Sequence, residues 1–164
     1  MHRHVRPVLI LASLVLASSC AQPRPHVEVT PAVPLDQASL ITAAENFLRS
    51  FDNMDWEPFR ASWSRNPTVF FPFADTPERV DGKAVEARFR TFFADVRSRR
   101  PGPPYLHLSP RDLRAETIGS AGVVTFTLGR RPGDIGRRTL LFVLENGEWK
   151  LAHLHASVIE TDEP

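Results

Sequence analysis

Asn146-Gly147-Glu148-Trp149-Lys150-Leu151-Ala152-His153-Leu154-His155-Ala156-Ser157 joins a turn signal to a strand carrying two imidazoles. Asn-Gly tolerates positive φ at both positions and closes a tight hairpin, so this strand pairs with the apolar run before it, Arg137 to Glu145. Side chains alternate along a strand, which predicts Trp149, Leu151, His153, His155 and Ser157 on one side. Lys150, Ala152, Leu154, Ala156 and Val158 then fall on the other, and both sides read as covered. A covered imidazole must find hydrogen-bond partners or line a cavity, so this strand is where function should leave its mark.

Working outward, Gly119-Ser120-Ala121-Gly122 is a second hairpin turn. It links Leu106 to Ile118, interrupted near Pro110, with Gly122 to Leu128. A meander therefore fills the second half of the chain. The first half is helical. Asp36 caps a helix whose apolar positions Leu40, Ile41, Ala44, Phe47, Leu48 and Phe51 keep helical spacing through Met54. Asp55 caps a short helix from Trp56 to Trp63, with Pro58 tolerated in its first turn and Asn66-Pro67 ending it. Thr68 to Phe71 and Glu78 to Asp81 read as two arms of a hairpin, the first kept short by Pro72. A third helix follows Asp81-Gly82 with Val85, Phe89, Phe92, Phe93 and Val96 on one face, and Pro101-Gly102-Pro103-Pro104 stops it. Helices first and a meander afterwards predict an α+β domain, three helices packed on a curved antiparallel sheet around a conical hollow.

The 164 residues allow one such domain, over 35–160, with 161–164 a tail. Net charge is +1 with histidines neutral, so the basic field that nucleic-acid binding needs is missing and no nucleic-acid partner is expected. Lys83 and Lys150 are the only lysines.

Residues 1–19 read as an export signal. Arg3 and Arg6 precede an apolar run, Val8 to Ala17, too short to span a bilayer. Leu16-Ala17-Ser18-Ser19-Cys20 resembles a bacterial lipobox, and Cys20, the sole cysteine, fits a residue reserved for acylation. The expectation is a lipoprotein held at a membrane through Cys20, at the outer membrane facing the periplasm. Ordinary cleavage near Ser19 or Ala21, giving a soluble exported protein, is the alternative. Residues 20–34 hold Pro23, Pro25, Pro31 and Pro34 and read as a tether reaching roughly 40 Å at about 3.1 Å per residue.

The order helix, short helix, hairpin, helix and long meander resembles the NTF2-like superfamily. Val69-Phe70-Phe71-Pro72 with Arg79-Val80-Asp81-Gly82-Lys83-Ala84 is similar to the first hairpin and third-helix entry of SnoaL-like and DUF4440-type members. The closing strand from Asn146-Gly147-Glu148-Trp149 to Ser157 is also similar to that of the calmodulin-dependent kinase II association domain. The resemblance implies a cone-shaped pocket and pairing into homodimers, but it spans isomerases, cyclases, dehydratases, binding proteins and oligomerisation modules. In members resembling ketosteroid isomerase, an acidic base precedes a Pro of the first hairpin and a first-helix tyrosine holds the oxyanion. Here Phe71 precedes Pro72 and the only tyrosine is Tyr105. Steroid-isomerase chemistry lacks both groups it needs.

His153 and His155 are the candidate acid/base residues, because imidazole serves either role near neutral pH. A core histidine bonded to a carbonyl or to Ser157 is the plainer reading. Alternate histidines can also reach one metal ion with His107 as a third ligand, but nothing in the spacing fixes that third position, so no metal is assigned. Trp63, Phe70, Phe73, Phe89 and Trp149, with both histidines, are the expected pocket wall. The arginine clusters at 97–100, 130–131 and 137–138 receive no role, and Asp52 and Asp55 read as helix-end caps. The function expected is a lipid-anchored domain binding a small apolar or amphipathic molecule in its cone as a homodimer, with no cofactor. A lyase, isomerase or hydrolase using His153 or His155 and a purely associative domain are the alternatives.

Overall fold

Asp36 opens the first helix as its N-cap, its Oδ1 accepting from the Ser39 amide at 2.7 Å, which satisfies one of the free donors of a first turn. In a computed structural model, which describes residues 36–129 and 134–160, that helix is α1 (Gln37–Asp52). After it come α2 (Trp56–Ala61), β1 (Trp63–Phe70), β2 (Val80–Asp81) and α3 (Lys83–Arg99). The meander is β3 (Pro110–Ile118), β4 (Ala121–Gly129), β5 (Ile135–Glu145) and β6 (Glu148–Ile159). The expected signal peptide, Cys20 and the expected tether and tail lie outside the described residues. No described helix is long and apolar enough to cross a membrane.

The six strands form one sheet in the order β2-β1-β6-β5-β4-β3. The hairpin expected at 68–81 is present, with Thr68 opposite Asp81 and Val69 opposite Val80. The sheet is mixed where an all-antiparallel one was expected, because β1 lies parallel to β6. These two strands are the most distant in sequence, and the long excursion through α3 and the meander supplies the crossover that a parallel pair requires.

Two strand starts depart markedly from the sequence reading, as do the roles of two helix-end aspartates. Strand β1 begins at Trp63, five residues early, and runs through Asn66-Pro67. Its pairing with β6 is irregular between Trp63 and Thr68, so the missing proline amide falls where no ladder bond is made, while the Pro67 carbonyl accepts from Gly82 N at 2.8 Å. Residues 106–109 are a loop, not strand. Asp52 holds that loop, its carboxylate accepting from Leu106 N at 3.1 Å and Leu108 N at 3.3 Å, so it clamps a distant segment and does not cap its helix. Asp55 sits at the N-cap of α2 without a side-chain capping bond.

All three helices pack on one face of the sheet. Leu40, Ala44 and Phe47 of α1 and Val85, Phe89 and Phe93 of α3 are buried against Val69, Val124, Phe126, Leu140, Phe142, Leu151 and Leu154. At the centre Phe59 contacts the rings of Phe47, Phe51, Trp56, Trp63, Phe89 and Phe93 at centroid separations from 4.8 to 6.0 Å. Those rings fill the space where the conical hollow was expected. The gap left beside Trp63, Pro67, Val85 and Phe89 is about 10 Å³, roughly the minimum for one water.

Candidate functional site: two histidines on the open face of the sheet

One inserted residue sets the site. Along β5 and β6, Phe142 pairs with Leu151 and the next residue, Leu141, pairs with His153, so Ala152 is an extra residue on β6. A bulge of this kind breaks strict alternation. Before it, Trp149 and Leu151 face the helices: Leu151 is fully buried and Trp149 Nε1 donates to Ser39 Oγ of α1 at 3.0 Å. After it, Leu154 and Ala156 face the helices, and His153, His155 and Ser157 turn to the opposite, helix-free face. The expectation that Leu151 and both histidines share a side is corrected by this bulge.

On that open face the neighbours of the histidines come from β1, β2 and β5. The parallel register sets Thr68 beside His153 and Phe70 beside His155, with Leu141 and Thr139 on the other flank. Thr68 Oγ1 lies 2.6 Å from His153 Nδ1 and donates to Ala152 O at 3.5 Å. In the tautomer that carries its proton on Nδ1, the hydroxyl accepts it and the His153 Nε2 lone pair is free. Phe70 touches both imidazoles, edge-on to His153 at 5.8 Å and tilted to His155 at 5.6 Å. Arg79 and Asp81 form an exposed pair at 2.9 Å at the β2 edge. Partial burial, then the neighbouring His155, then Arg79 hold His153 below the ordinary imidazole pKa of 6.5, so its neutral form prevails at neutral pH.

The seven expected wall residues are therefore divided. Phe70, His153 and His155 are together on the open face. Trp63, 4% exposed, and Phe89, 5% exposed, are in the aromatic core on the other side of the sheet. Trp63 Nε1 is buried there without a hydrogen-bond partner among the described residues. Phe73, 46% exposed, stacks on Phe71 in the loop after β1. Trp149 lines a groove of about 630 Å³ on the outer side of α1, α2 and the β5–β6 turn, with Ser39, Thr42, Asn46, Asn53 and Glu148. The sequence reading missed that groove. Its signal was available in the polar stripe Ser39, Thr42, Asn46, Arg49 and Asn53 along and just after α1, which carries a single charge. His107 precedes β3, the edge strand farthest from β2, and no group of three or more potential metal ligands exists among the described residues.

The open face also carries unpartnered apolar side chains. Ile135 and Ile159 oppose one another across β5 and β6 with exposures of 44% and 38%, and Ile118 at the β3–β4 end is 58% exposed. Val123, Leu141 and Val143 lie between them, half-buried.

A SnoaL-like domain model matches residues 41–161. The chain belongs to the SnoaL-like family. Solved structures agree on the fold. A proposed dehydratase of the NTF2-like family from Streptomyces avermitilis superposes with a TM-score of 0.63 at 18% identity, covering 76% of this chain and 96% of that one. The CaMKII hub of S. rosetta gives 0.59 at 22% identity, covering 79% and 99%. A proposed ketosteroid isomerase from Parabacteroides distasonis gives 0.58 at 15% identity, covering 80% and 93%. At these identities the likeness is one of fold. No curated protein matches the sequence.

Proposed function

We propose that this SnoaL-like domain is an association module that pairs with a second copy through the open face of its sheet, and that export and acylation of Cys20 hold the pair at a membrane. One observation carries the reading: the interior that would hold a ligand is packed with aromatic rings, while Ile118, Ile135 and Ile159 stand exposed on the face without helices. Apolar side chains that gather on one face of a folded domain mark a protein contact. An isologous pairing is the simplest closed use of such a face. The likeness to a kinase hub domain supports it. Leu141→Glu, placed centrally beside His153, tests it by analytical ultracentrifugation. The wild-type domain sediments as a dimer and the variant as a folded monomer; a wild-type monomer at high micromolar concentration overturns the reading. Loss of membrane partitioning in Cys20→Ser tests the anchor.

The groove beside Trp149 supports a second reading, the binding of a small amphipathic molecule outside the cone. Its wall joins the hydroxyl, amide and guanidinium groups of Ser39, Thr42, Asn46 and Arg49 to the Trp149 indole, a composition suited to a ligand with one apolar and one polar side. A metabolite panel scored by thermal shift, with hits abolished in Trp149→Ala, checks it.

A further inference from the structure

His153 and His155 are the two imidazoles that the Ala152 bulge sends to the open face together. Alternate residues of a strand stand about 6.7 Å apart at Cα, a span that two side chains close by converging on one ion at about 2.0 to 2.1 Å from each nitrogen. Thr68 already makes the contact that a metal-binding histidine uses on its other side. Its hydroxyl lies 2.6 Å from His153 Nδ1, and in the tautomer protonated there it accepts that proton and leaves Nε2 as the donor atom. Phe70 packs against both rings and limits their swing. The positive charge of Arg79 is paired with Asp81 at the strand edge. Two imidazoles from one chain make half of a tetrahedral set. Strand β6 is third of six in the sheet, so an isologous pairing centred on it would bring the same two rings of a second copy toward the first.

We propose that His153 and His155 chelate a divalent transition-metal ion of the zinc, nickel and copper class, completed to four imidazoles by the same pair from a second copy. The completion rests on the association reading; the chelate rests on the residues of β6 and β1. Imidazole suits these ions, whereas magnesium and calcium require several carboxylate and carbonyl oxygens, and Asp81, the carboxylate beside this patch, is already paired with Arg79.

The test uses the untagged protein, stripped with a chelator and titrated with zinc chloride by calorimetry near neutral pH. Expected are one ion bound per two chains, a tetrahedral visible absorption when cobalt replaces zinc, and loss of both in His155→Ala. Thr68→Val, which keeps the side-chain shape but removes the orienting hydroxyl, weakens binding by about tenfold. His155 is exposed, so its replacement leaves the fold intact, and circular dichroism verifies this. Zinc binding no tighter than in a variant lacking both histidines overturns the metal site, and so does one ion per chain with an octahedral cobalt spectrum. Sedimentation of the stripped protein separates the two claims: a dimer that binds no zinc leaves the association reading standing and removes the metal site. A stripped monomer that becomes a dimer on adding zinc supports the shared site; a monomer under both conditions removes the association reading and the sharing of the ion.

Discussion

The two faces of the sheet are made from alternate residues of the same strands, yet they hold opposite chemistry. Facing the helices are Val124, Phe126, Leu140, Phe142 and Leu154, closed over by the phenylalanines of α1, α2 and α3. Facing away are Thr125, Thr139, Leu141, His153 and His155, a patch of hydroxyls, imidazoles and isolated aliphatics that no described helix covers. The first face carries the stability of the domain, since burying large apolar side chains is its dominant favourable term. The second is free of that duty, so its residues can be chosen for contact and ligation.

Inserting one alanine after His153 breaks that division most severely. The bulge at Ala152 already sets His153 outward, so with one further residue in regular pairing every β6 side chain from Leu154 onward changes face, and His155 and Ser157 replace Leu154 and Ala156 against the helices. These two polar groups would be buried without partners at about 1 to 3 kcal/mol each while Leu154 loses its burial, a total that approaches the stability of a small domain. The expected outcome is an unfolded or aggregated product in circular dichroism and gel filtration. A folded product with native melting temperature would show that alternation is not what assigns the faces.

Single substitutions sharpen the contrast. Phe59→Ala removes the ring at the centre of the helix-side cluster and costs about 3 to 5 kcal/mol, read from urea unfolding. Thr125→Ala, on an exposed position of the other face, stays within about 0.5 kcal/mol of wild type. Equal effects at the two sites would remove the distinction between a stabilising and an accessible face. Between them falls Gly122→Ala. Gly122 lies under α1, and an added Cβ would sit 2.6 Å from the Leu40 methyl groups, so Leu40 must shift within a packed core. Overpacking of this kind costs about 1 to 3 kcal/mol.

The same contrast explains what the sequence disclosed. Helical spacing in Leu40, Ala44, Phe47 and in Val85, Phe89, Phe93, together with the Asn146-Gly147 turn, locates both long helices and fixes the span of β6 to the residue. Those signals are periodic or local. The Ala152 bulge is neither. A single extra residue in an otherwise alternating run has no composition of its own, and it exists only through pairing with β5. Reading alternation straight through it placed the histidines with Leu151 on the covered side. The aromatic residues failed as site markers for a different reason. Helical period places Phe89 inward, but whether inward rings line a chamber or fill it depends on where Phe59 and Trp63 come to rest, which is a matter of tertiary packing. Pro67 misled at the start of β1 because its missing amide was read as a stop, when the irregular pairing with β6 leaves that amide unneeded.

A more modest effect than those in the core lies at the start of α1, away from both faces. Asp36 accepts from the Ser39 amide and has its pKa lowered from 3.8, first by that backbone bond and then by the Ser39 side chain. A carboxylate with a depressed folded pKa stabilises fully above its unfolded value of 3.8, and the contribution is lost as pH falls through the lower folded value. Asp36→Ala should therefore lower the melting temperature by roughly 5 °C at neutral pH, with the gap to wild type narrowing below pH 3.8 as the wild-type cap protonates. Asp36→Asn separates hydrogen bond from charge. Its amide oxygen still accepts from Ser39, so it should retain most of the wild-type melting temperature at neutral pH while losing this residue's share of the acid dependence. An Asn variant as unstable as the Ala variant would mean that the carboxylate charge at the helix start, and not the capping bond, supplies the stabilisation.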